Sequence, residues 1–471
     1  MIQLQNYIAG QWETVPRQLD VSLCNASTGE VIGRQVESDA EQLERALAFA
    51  AESYNASRGW CSLSPAERAA RLLRAADSLE ARAEHIAELD SLFTGVIISL
   101  TSRLARICGA AFRGAAGLLQ DDEGAGVNGK LLIERTALGP AAIIGPWNAP
   151  AGIMAHKLAS ALAAGCPALV KPSEWAPHSV QVIVEALQEA GLPDDACQLL
   201  HGTAATGVEL VADPRVAAVS FTGGLAGGRA VARACAEQVR PAQLELGGNN
   251  PLLALEDAQV EKAAAGVVTA MTTLNGQWCR ALGRLLVHKS LEAELPERIR
   301  QKLAGLTLGH AMDPDSDMGP LAHRRHRQLI ERQVAALRDK GGVIHQCTPL
   351  PALGGWFYPP TIITGLRPED TVEEIFGPVA CLHSFDDDEQ AVRLANQTPY
   401  GLAAYVFGDE DHCWQVARRV RAGVTKINAV TLLNLSPEAP RPAWGLSGLG
   451  DEGTRETFEF FRGTRVTGVA D

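Results

Sequence analysis

Apolar residues recur at helical spacing between positions 39 and 119, and the rhythm changes at Gly139. Ser38 or Asp39 can cap the first of these helices. Ser64-Pro65-Ala66-Glu67 starts the next, with serine at the cap and proline in the first turn. Short apolar runs then alternate with amphipathic ones: strand 141–144, helix 150–164, strand 167–170, helix 179–190, strand 198–200, helix 207–212, strand 217–221, helix 229–239 and strand 243–246. Strands separated by helices of this length predict parallel β-α-β units in an open, doubly wound α/β sheet. The second half repeats the alternation less regularly, with helix 260–272, strand 284–288, helices 292–304 and 322–340, strand 343–344, apolar stretches 357–363 and 380–385, helix 388–395 and strand 403–407. This predicts a second α/β domain. At the amino end a hairpin is expected over 6–12, then a turn over 25–30 leading into a strand. Residues 121–126 form a polar, glycine-rich break and 129–137 a protruding strand. The tail from Glu456 carries Phe458, Phe460 and Phe461, too apolar to hang free, and is expected to dock on a neighbour.

Composition narrows the class. A chain of 471 residues, 46% hydrophobic, should divide into two or three domains. Its formal net charge of −13 is spread along the chain, which disfavours a nucleic acid or an anionic membrane as partner. No apolar run is long enough to span a bilayer and no basic leader precedes an apolar stretch, so a cytoplasmic protein is expected. The ten cysteines are scattered with no C-x-x-C pair, which argues against a disulfide framework and against a zinc site; no metal is expected.

Two stretches carry chemistry. Leu244-Glu245-Leu246-Gly247-Gly248-Asn249-Asn250-Pro251 places a carboxylate ahead of a glycine pair, and Asn275-Gly276-Gln277-Trp278-Cys279-Arg280 places a cysteine behind a Gly-Gln step. Covalent catalysis on a carbonyl needs such a pair: a soft nucleophile, and a base to discharge the intermediate. Three loops follow strand ends, where open parallel sheets bind ligands. They are Ile144-Gly145-Pro146-Trp147-Asn148, Lys171-Pro172-Ser173-Glu174 and Phe221-Thr222-Gly223-Gly224. Any one of them could be an ordinary turn; three on one edge point to a cofactor. Gly223-Gly224 opens a helix whose amino end can face a pyrophosphate. Glu245 could otherwise be an ion-paired acid at a strand end, and Cys279 a buried structural thiol.

Taken together, Leu244 to Pro251 and Gly276 to Cys279 resemble the aldehyde dehydrogenase superfamily, and so do the Lys-Pro-Ser-Glu motif at 171, Glu373-Glu374-Ile375-Phe376-Gly377-Pro378, Pro399-Tyr400-Gly401-Leu402 and Ile427-Asn428. The resemblance implies an aldehyde dehydrogenase-like fold. Residues 1–120 and 138–247 would form an NAD-binding domain, 248–445 a catalytic domain, and 121–137 with 455–471 the oligomerisation segments of a homodimer or homotetramer. It implies a cofactor set of Ile144, Gly145, Pro146, Trp147, Lys171, Ser173, Glu174, Gly207, Phe221, Thr222, Gly223, Gly224, Leu246, Gly247, Glu374 and Phe376. Glu174 would accept from the adenosine ribose 2′-hydroxyl and repel a 2′-phosphate, so NAD is favoured over NADP.

Catalysis would fall to Cys279 as nucleophile, Glu245 as general base, and the Asn148 amide with the Cys279 backbone N–H as oxyanion donors. The reaction implied is oxidation of a small-molecule aldehyde through a hemithioacetal and a thioester. The chain departs from the family pattern at Gly224, where serine is usual and altered cofactor affinity without loss of binding is expected, and at Leu446 and Asp451, changes expected to affect local subunit contacts and not the chemistry. Ala149, Gly152 and His156 replace bulky residues, which suggests an entrance widened for a bulky or aryl aldehyde, with Trp278 and the loop 429–444 lining the rest. Two other readings stand beside this one: a coenzyme A-acylating semialdehyde dehydrogenase, and a catalytically silent homologue with a structural or binding role.

Overall fold

A computed structural model describes residues 3–120, 125–128, 130–432, 435–436 and 439–469, with the backbone alone at 125–128. Part of the glycine-rich break (121–124), the first residue of the protruding strand (129) and four positions of the 429–444 loop (433, 434, 437 and 438) lie outside the described residues.

The central strands of the amino-terminal half are buried over nearly their whole length. Ala141–Ile144 and Ala168–Lys171 expose no residue, the mark of a parallel sheet covered on both faces. They belong to an eight-stranded sheet whose order is Gln11–Thr14, Gln5–Ile8, Cys197–Leu199, Ala168–Lys171, Ala141–Ile144, Ala218–Thr222, Ala242–Glu245 and Gly448–Leu449. The five inner strands run parallel, and antiparallel strands close both edges. Helices start where local chemistry starts them. Asp39 accepts from the Gln42 N–H at the head of Ala40–Asn55, and Ser64 with Glu67 forms a reciprocal capping box on Pro65–Ala81. Ile98–Gln120 packs on Pro65–Ala81 and on Pro150–Ala164, and Trp60, Leu72, Phe112 and Leu158 are fully buried in the resulting core.

The aromatic tail corrects one expectation. Phe458 and Phe461 are buried within this chain's own core, not against a neighbour. The helix Thr454–Phe460 lays them against Pro150–Ala164, and Leu138 N–H donates to the Phe461 carbonyl at 3.0 Å. The following strand, Arg462–Gly468, pairs antiparallel with Leu131–Ala137 in a three-stranded sheet completed by Ala125–Asn128.

A second sheet of seven strands is ordered Val343–Gln346, Thr361–Thr364, Val379–Phe385, Leu282–His288, Asn250–Ala254, Ala403–Phe407 and Val424–Ile427, parallel except at its first strand. Asn250–Ala254 was not anticipated. Its five residues are all buried, so it shows no alternation, and it begins at a register shift beside Pro251.

Ser447 to Glu452 returns beside the strand that ends at Glu245, with Ser447 and Glu452 buried and Leu449, Gly450 and Asp451 exposed. Gly448–Leu449 forms the last strand of the eight-stranded sheet, and Leu246 N–H donates to the Ser447 carbonyl at 2.8 Å. Leu446 and Asp451 flank this edge strand, and Asp451 is exposed.

Candidate active site

Glu245 ends the strand Ala242–Glu245, and the glycines that follow bring two backbones together. A side chain at Gly247 would collide with the Glu374 carboxylate. A Cβ at Gly248 would lie 2.6 Å from Asn250 Oδ1 and 2.9 Å from the Cys279 carbonyl. Close approach of protein to protein is reason enough for both glycines. Cys279 reaches this point by an unusual route. After the helix Val260–Thr272, Leu274, Asn275 and Gly276 take positive φ values of 51°, 57° and 74° in succession.

Such a turn persists only if its surroundings over-determine it, and here they do. Asn275 Nδ2 donates to the carbonyls of Gly95 (2.8 Å) and Pro320 (2.7 Å), and its Oδ1 accepts from Gly319 N–H. Gln277 Oε1 accepts from Ala322 N–H, Asn250 Nδ2 donates to the Cys279 (2.9 Å) and Ala281 (2.7 Å) carbonyls, and Tyr405 donates to the Arg280 carbonyl. A methyl group at Gly276 would meet the backbone of Pro378 in a left-handed conformation. Gly276→Ala is accordingly expected to lower stability by about 2–4 kcal/mol and displace the thiol; chemical denaturation checks the first, and the rate of thiol alkylation the second.

The thiol of Cys279 donates to Glu245 Oε1 at 3.3 Å. Burial and the neighbouring Glu245 charge hold that thiol well above its ordinary value, with Arg280 opposing them. Burial and the Glu452 charge raise the Glu245 carboxyl in turn. Thiol and carboxyl thus sit together in protonated, uncharged form more readily than either would in water. Asn148 lies across the same gap, its Nδ2 donating to the Gln277 carbonyl at 2.8 Å.

Behind Glu245 is a buried polar network that sequence reasoning missed. Lys157, fully buried, forms an ion pair with Glu452 and donates to Ser220 Oγ at 2.9 Å; Ser220 donates to Gln243, and Gln243 to the Asp451 carbonyl. Arg441 Nη2 sits 3.7 Å from Glu452 Oε2 and 2.7 Å from His156 Nε2. The cationic partners hold Glu452 below the usual carboxylate range against a large burial cost. Breaking such a pair costs about 3–5 kcal/mol, because the remaining charge is stranded. The available signal was Lys157 itself, one charge in an otherwise apolar helix. His156, read from sequence as part of a widened entrance, is taken up by Arg441 and by Thr457 at 3.2 Å. Gly152 remains open, with only the Leu104 carbonyl within 4 Å of where a Cβ would sit.

All sixteen expected cofactor residues, together with Asn148 and Cys279, line one cavity of about 880 Å³; Glu245 reaches it through Cys279. At one end, Lys171 Nζ lies 4.0 Å from Glu174 Oε2 and donates to the Pro172 carbonyl. Val208, Val211 and Val231 supply an apolar slot that the motifs did not signal. Midway, the helix Leu225–Glu237 begins at Gly224, and among the described residues no side chain caps its amino end and the buried Thr222 hydroxyl has no partner. Nothing stands within 4 Å of a Cβ at Gly224, so serine would fit there and its absence leaves the helix end open. At the other end Glu374 Oε1 accepts from Gly248 N–H at 2.8 Å and burial pushes its carboxyl up to about 7. Trp147 meets the edges of Phe376 (5.5 Å) and His326 (4.9 Å), and His326 Nε2 donates to the Phe376 carbonyl. His323, stacked on Trp175, completes this wall; burial pushes His323 to about 3 and His326 to about 4, so both are neutral near pH 7. These two histidines also escaped the sequence reading.

An uncapped helix end, an unpartnered hydroxyl and a lysine–glutamate pair strung along one elongated cavity fit a dinucleotide. A profile of the aldehyde dehydrogenase family matches residues 14–467. The chain belongs to the aldehyde dehydrogenase family. Among aldehyde dehydrogenases similar to it, the betaine aldehyde dehydrogenase of Cereibacter sphaeroides is 35% identical, over 94% of this chain and 92% of that one. The 2-hydroxymuconic semialdehyde dehydrogenase of a Pseudomonas species is 34% identical over 93% of each chain. A crystal structure of betaine aldehyde dehydrogenase from Staphylococcus aureus in complex with NAD+ superposes with a TM-score of 0.93 at 28% identity, covering 99% of this chain and 94% of that one. This aldehyde dehydrogenase has no helix among its described residues that is long and apolar enough to cross a membrane.

Proposed function

We propose that this aldehyde dehydrogenase oxidises an aldehyde to the carboxylic acid with NAD, and that Cys279, Glu245 and Asn148 carry the chemistry. The observation that supports it most is the 3.3 Å contact between Cys279 and Glu245 at the wall of the dinucleotide cavity. The relatives act on aldehydes as different as betaine aldehyde and 2-hydroxymuconic semialdehyde, so family membership does not name the substrate. In this reading the residues of the eight-stranded sheet and its helices (1–120 and 138–247) hold the coenzyme, and 248–445 present the nucleophile.

Cys279 gives up its proton to water as it attacks the carbonyl carbon, its sulfur becomes bonded to that carbon, and the carbonyl π pair moves onto oxygen. The Asn148 amide, turned from Gln277, and the Cys279 N–H stabilise the oxyanion. NAD, when bound, supplies an acceptor for the hydride, and the acyl group remains on sulfur as a thioester. Glu245 then takes a proton from water, which attacks the thioester and returns the thiol. Lys157 and Glu452 set the electrostatic field around Glu245. Lys171 and Glu174 would hold the adenosine ribose, the amino end of Leu225–Glu237 the pyrophosphate, and Glu374 the nicotinamide ribose. NADH absorbance across a panel of aldehydes, with and without coenzyme A, tests the reading. NADH that forms only when coenzyme A is added would favour the acylating alternative, which the presence of Glu245 counts against. NADH from no aldehyde would favour a silent homologue.

Coenzyme choice is a separate outcome. With Glu174 on the ribose, Glu174→Ala removes both an acceptor for the 2′-hydroxyl and a charge that repels a 2′-phosphate. The ratio of kcat/KM for NADP to that for NAD is expected to rise roughly tenfold to a hundredfold, the scale of one charged hydrogen bond. The three-stranded sheet is proposed as a subunit contact of a homo-oligomer, since Leu131, Ile133 and Val466 lie exposed on it. Sedimentation of the full chain as a monomer would remove that assignment.

A further inference from the structure

Glu374, Ile375 and Phe376 lie in neither helix nor strand, and two of them, Glu374 and Phe376, line the dinucleotide cavity. Such a segment presents its side chains at set positions only if its backbone is fixed from outside. One helix does this. His326 Nε2 donates to the Phe376 carbonyl at 2.6 Å, and Gln333 Nε2 donates to the Glu374 carbonyl at 3.2 Å. Between them Ile330, fully buried, closes on Gly377, where a methyl group would collide with it, and Ile375 packs on the same apolar cluster as Ile330. Positions 326, 330 and 333 are spaced by four and three, so they share one face of the helix Arg324–Asp339. The Glu374 carboxylate is held separately, by Gly248 N–H at 2.8 Å.

His326 itself stands in the cavity wall. A carbonyl can only accept, so its Nε2 carries a proton whatever the charge on the ring. His326 N–H donates to His323 Nδ1 at 3.1 Å, which fixes the turn from which the ring projects. The same ring meets Trp147, the residue before Asn148, at 4.9 Å. One imidazole thus touches both the segment that carries Phe376 and the loop that carries Asn148. Gln333 does not line the cavity and reaches it only through the Glu374 backbone.

We propose that His326 and Gln333 are positioning residues for the nicotinamide end of the coenzyme: by holding the Phe376 and Glu374 carbonyls they set where the Phe376 ring and the Glu374 carboxylate meet it. The inference rests on the coenzyme placement in the reading above and adds to it two residues that act through the backbone of others. The adenosine end, at Lys171 and Glu174, is held by other elements and is independent of this clamp. Hydride transfer needs the ring at a set distance from the carbon bonded to sulfur, and a misplacement of about 1 Å costs roughly a hundredfold in rate.

Three variants of the full-length enzyme test it, with an aldehyde that the panel above shows to be turned over. His326→Leu removes the donor, His326→Gln keeps an amide N–H near the place of Nε2, and Gln333→Leu leaves the cavity wall unaltered. His326→Leu is expected to slow the NADH burst at saturating NAD by roughly tenfold to a hundredfold. The Kd for ADP, which lacks the nicotinamide end, should change by less than about twofold. Gln333→Leu should show the same pattern with a severalfold loss, and it carries the test if His326→Leu does not fold. His326→Gln should recover most of the burst rate. The emission of bound NADH reports the nicotinamide end without turnover, and in both leucine variants it should shift toward that of free NADH. A burst as fast as wild type in either leucine variant would overturn the proposal. So would a His326→Gln variant as slow as His326→Leu, since the donor would then not be what matters. Loss of ADP affinity along with the burst would make these residues part of the general fold and overturn it as well. If the wild-type enzyme formed NADH from no aldehyde, the oxidation reading would fall, and NADH emission alone would decide this inference: emission unchanged in the leucine variants would sink it.

Discussion

Cys279→Ala is expected to reduce aldehyde-dependent NADH formation by roughly 10³-fold or more, since no later step can begin without the sulfur–carbon bond. Nine other cysteines are present, but six of them (Cys108, Cys166, Cys197, Cys235, Cys381 and Cys413) are buried and none of the nine lines the dinucleotide cavity. None is placed to take over. The loss should be one of chemistry and not of folding, so NAD should still raise the melting temperature of the variant, by mass action on the folded state. Turnover near the wild-type rate in Cys279→Ala would place the nucleophile elsewhere.

Glu245→Gln is the second large effect, and its shape is more informative than its size. With the base gone, acylation should still deliver about one equivalent of NADH per site, after which turnover slows by roughly 10²- to 10⁴-fold. Stopped-flow absorbance separates the burst from the steady state; a variant that loses both phases equally would show that Glu245 acts before the thioester forms. The resting contact adds a pH signature. Burial and Glu452 raise the Glu245 carboxyl, so in wild type the base is protonated at low pH and deacylation gains rate as pH rises through its elevated pKa. That limb should vanish in Glu245→Gln. The same substitution removes a charge that raises the Cys279 thiol, so iodoacetamide should alkylate Cys279 faster near pH 7 in the variant. Slower alkylation would mean that Glu245 already draws the proton from sulfur in the resting enzyme.

Much of this site is legible in one dimension because its parts are short motifs at the carboxyl ends of strands. Phe221 to Gly224, Lys171 to Glu174 and Ile144 to Asn148 each follow a strand by a few residues, so strand prediction brings them to one edge. Residues that act from the far side of the fold had no such guide. Lys157 and Glu452 are 295 positions apart and become partners only because the strand Gly448–Leu449 returns beside Ala242–Glu245. His326 is placed by the first turn of the helix Arg324–Asp339, against Phe376 fifty positions later. The aromatic tail misled for a related reason. Its apolarity was plain, but a run of phenylalanines buries equally well in its own subunit or in another, and only packing against Pro150–Ala164 chose.

By itself, then, the sequence determined the alternation of strand and helix and the doubly wound sheet, and it singled out the loops proposed for the coenzyme and Cys279 and Glu245 as the proposed nucleophile and base. These depend on local periodicity and on residue types whose chemistry travels with them. The tertiary structure alone decided two things. It set the three consecutive left-handed residues that present Cys279, and the buried Lys157–Glu452 pair behind Glu245. Each of these is held by contacts between residues far apart in the chain. Whether a charge is answered or stranded depends on what burial removes from it and what folding places beside it, and neither is written in the spacing of residues.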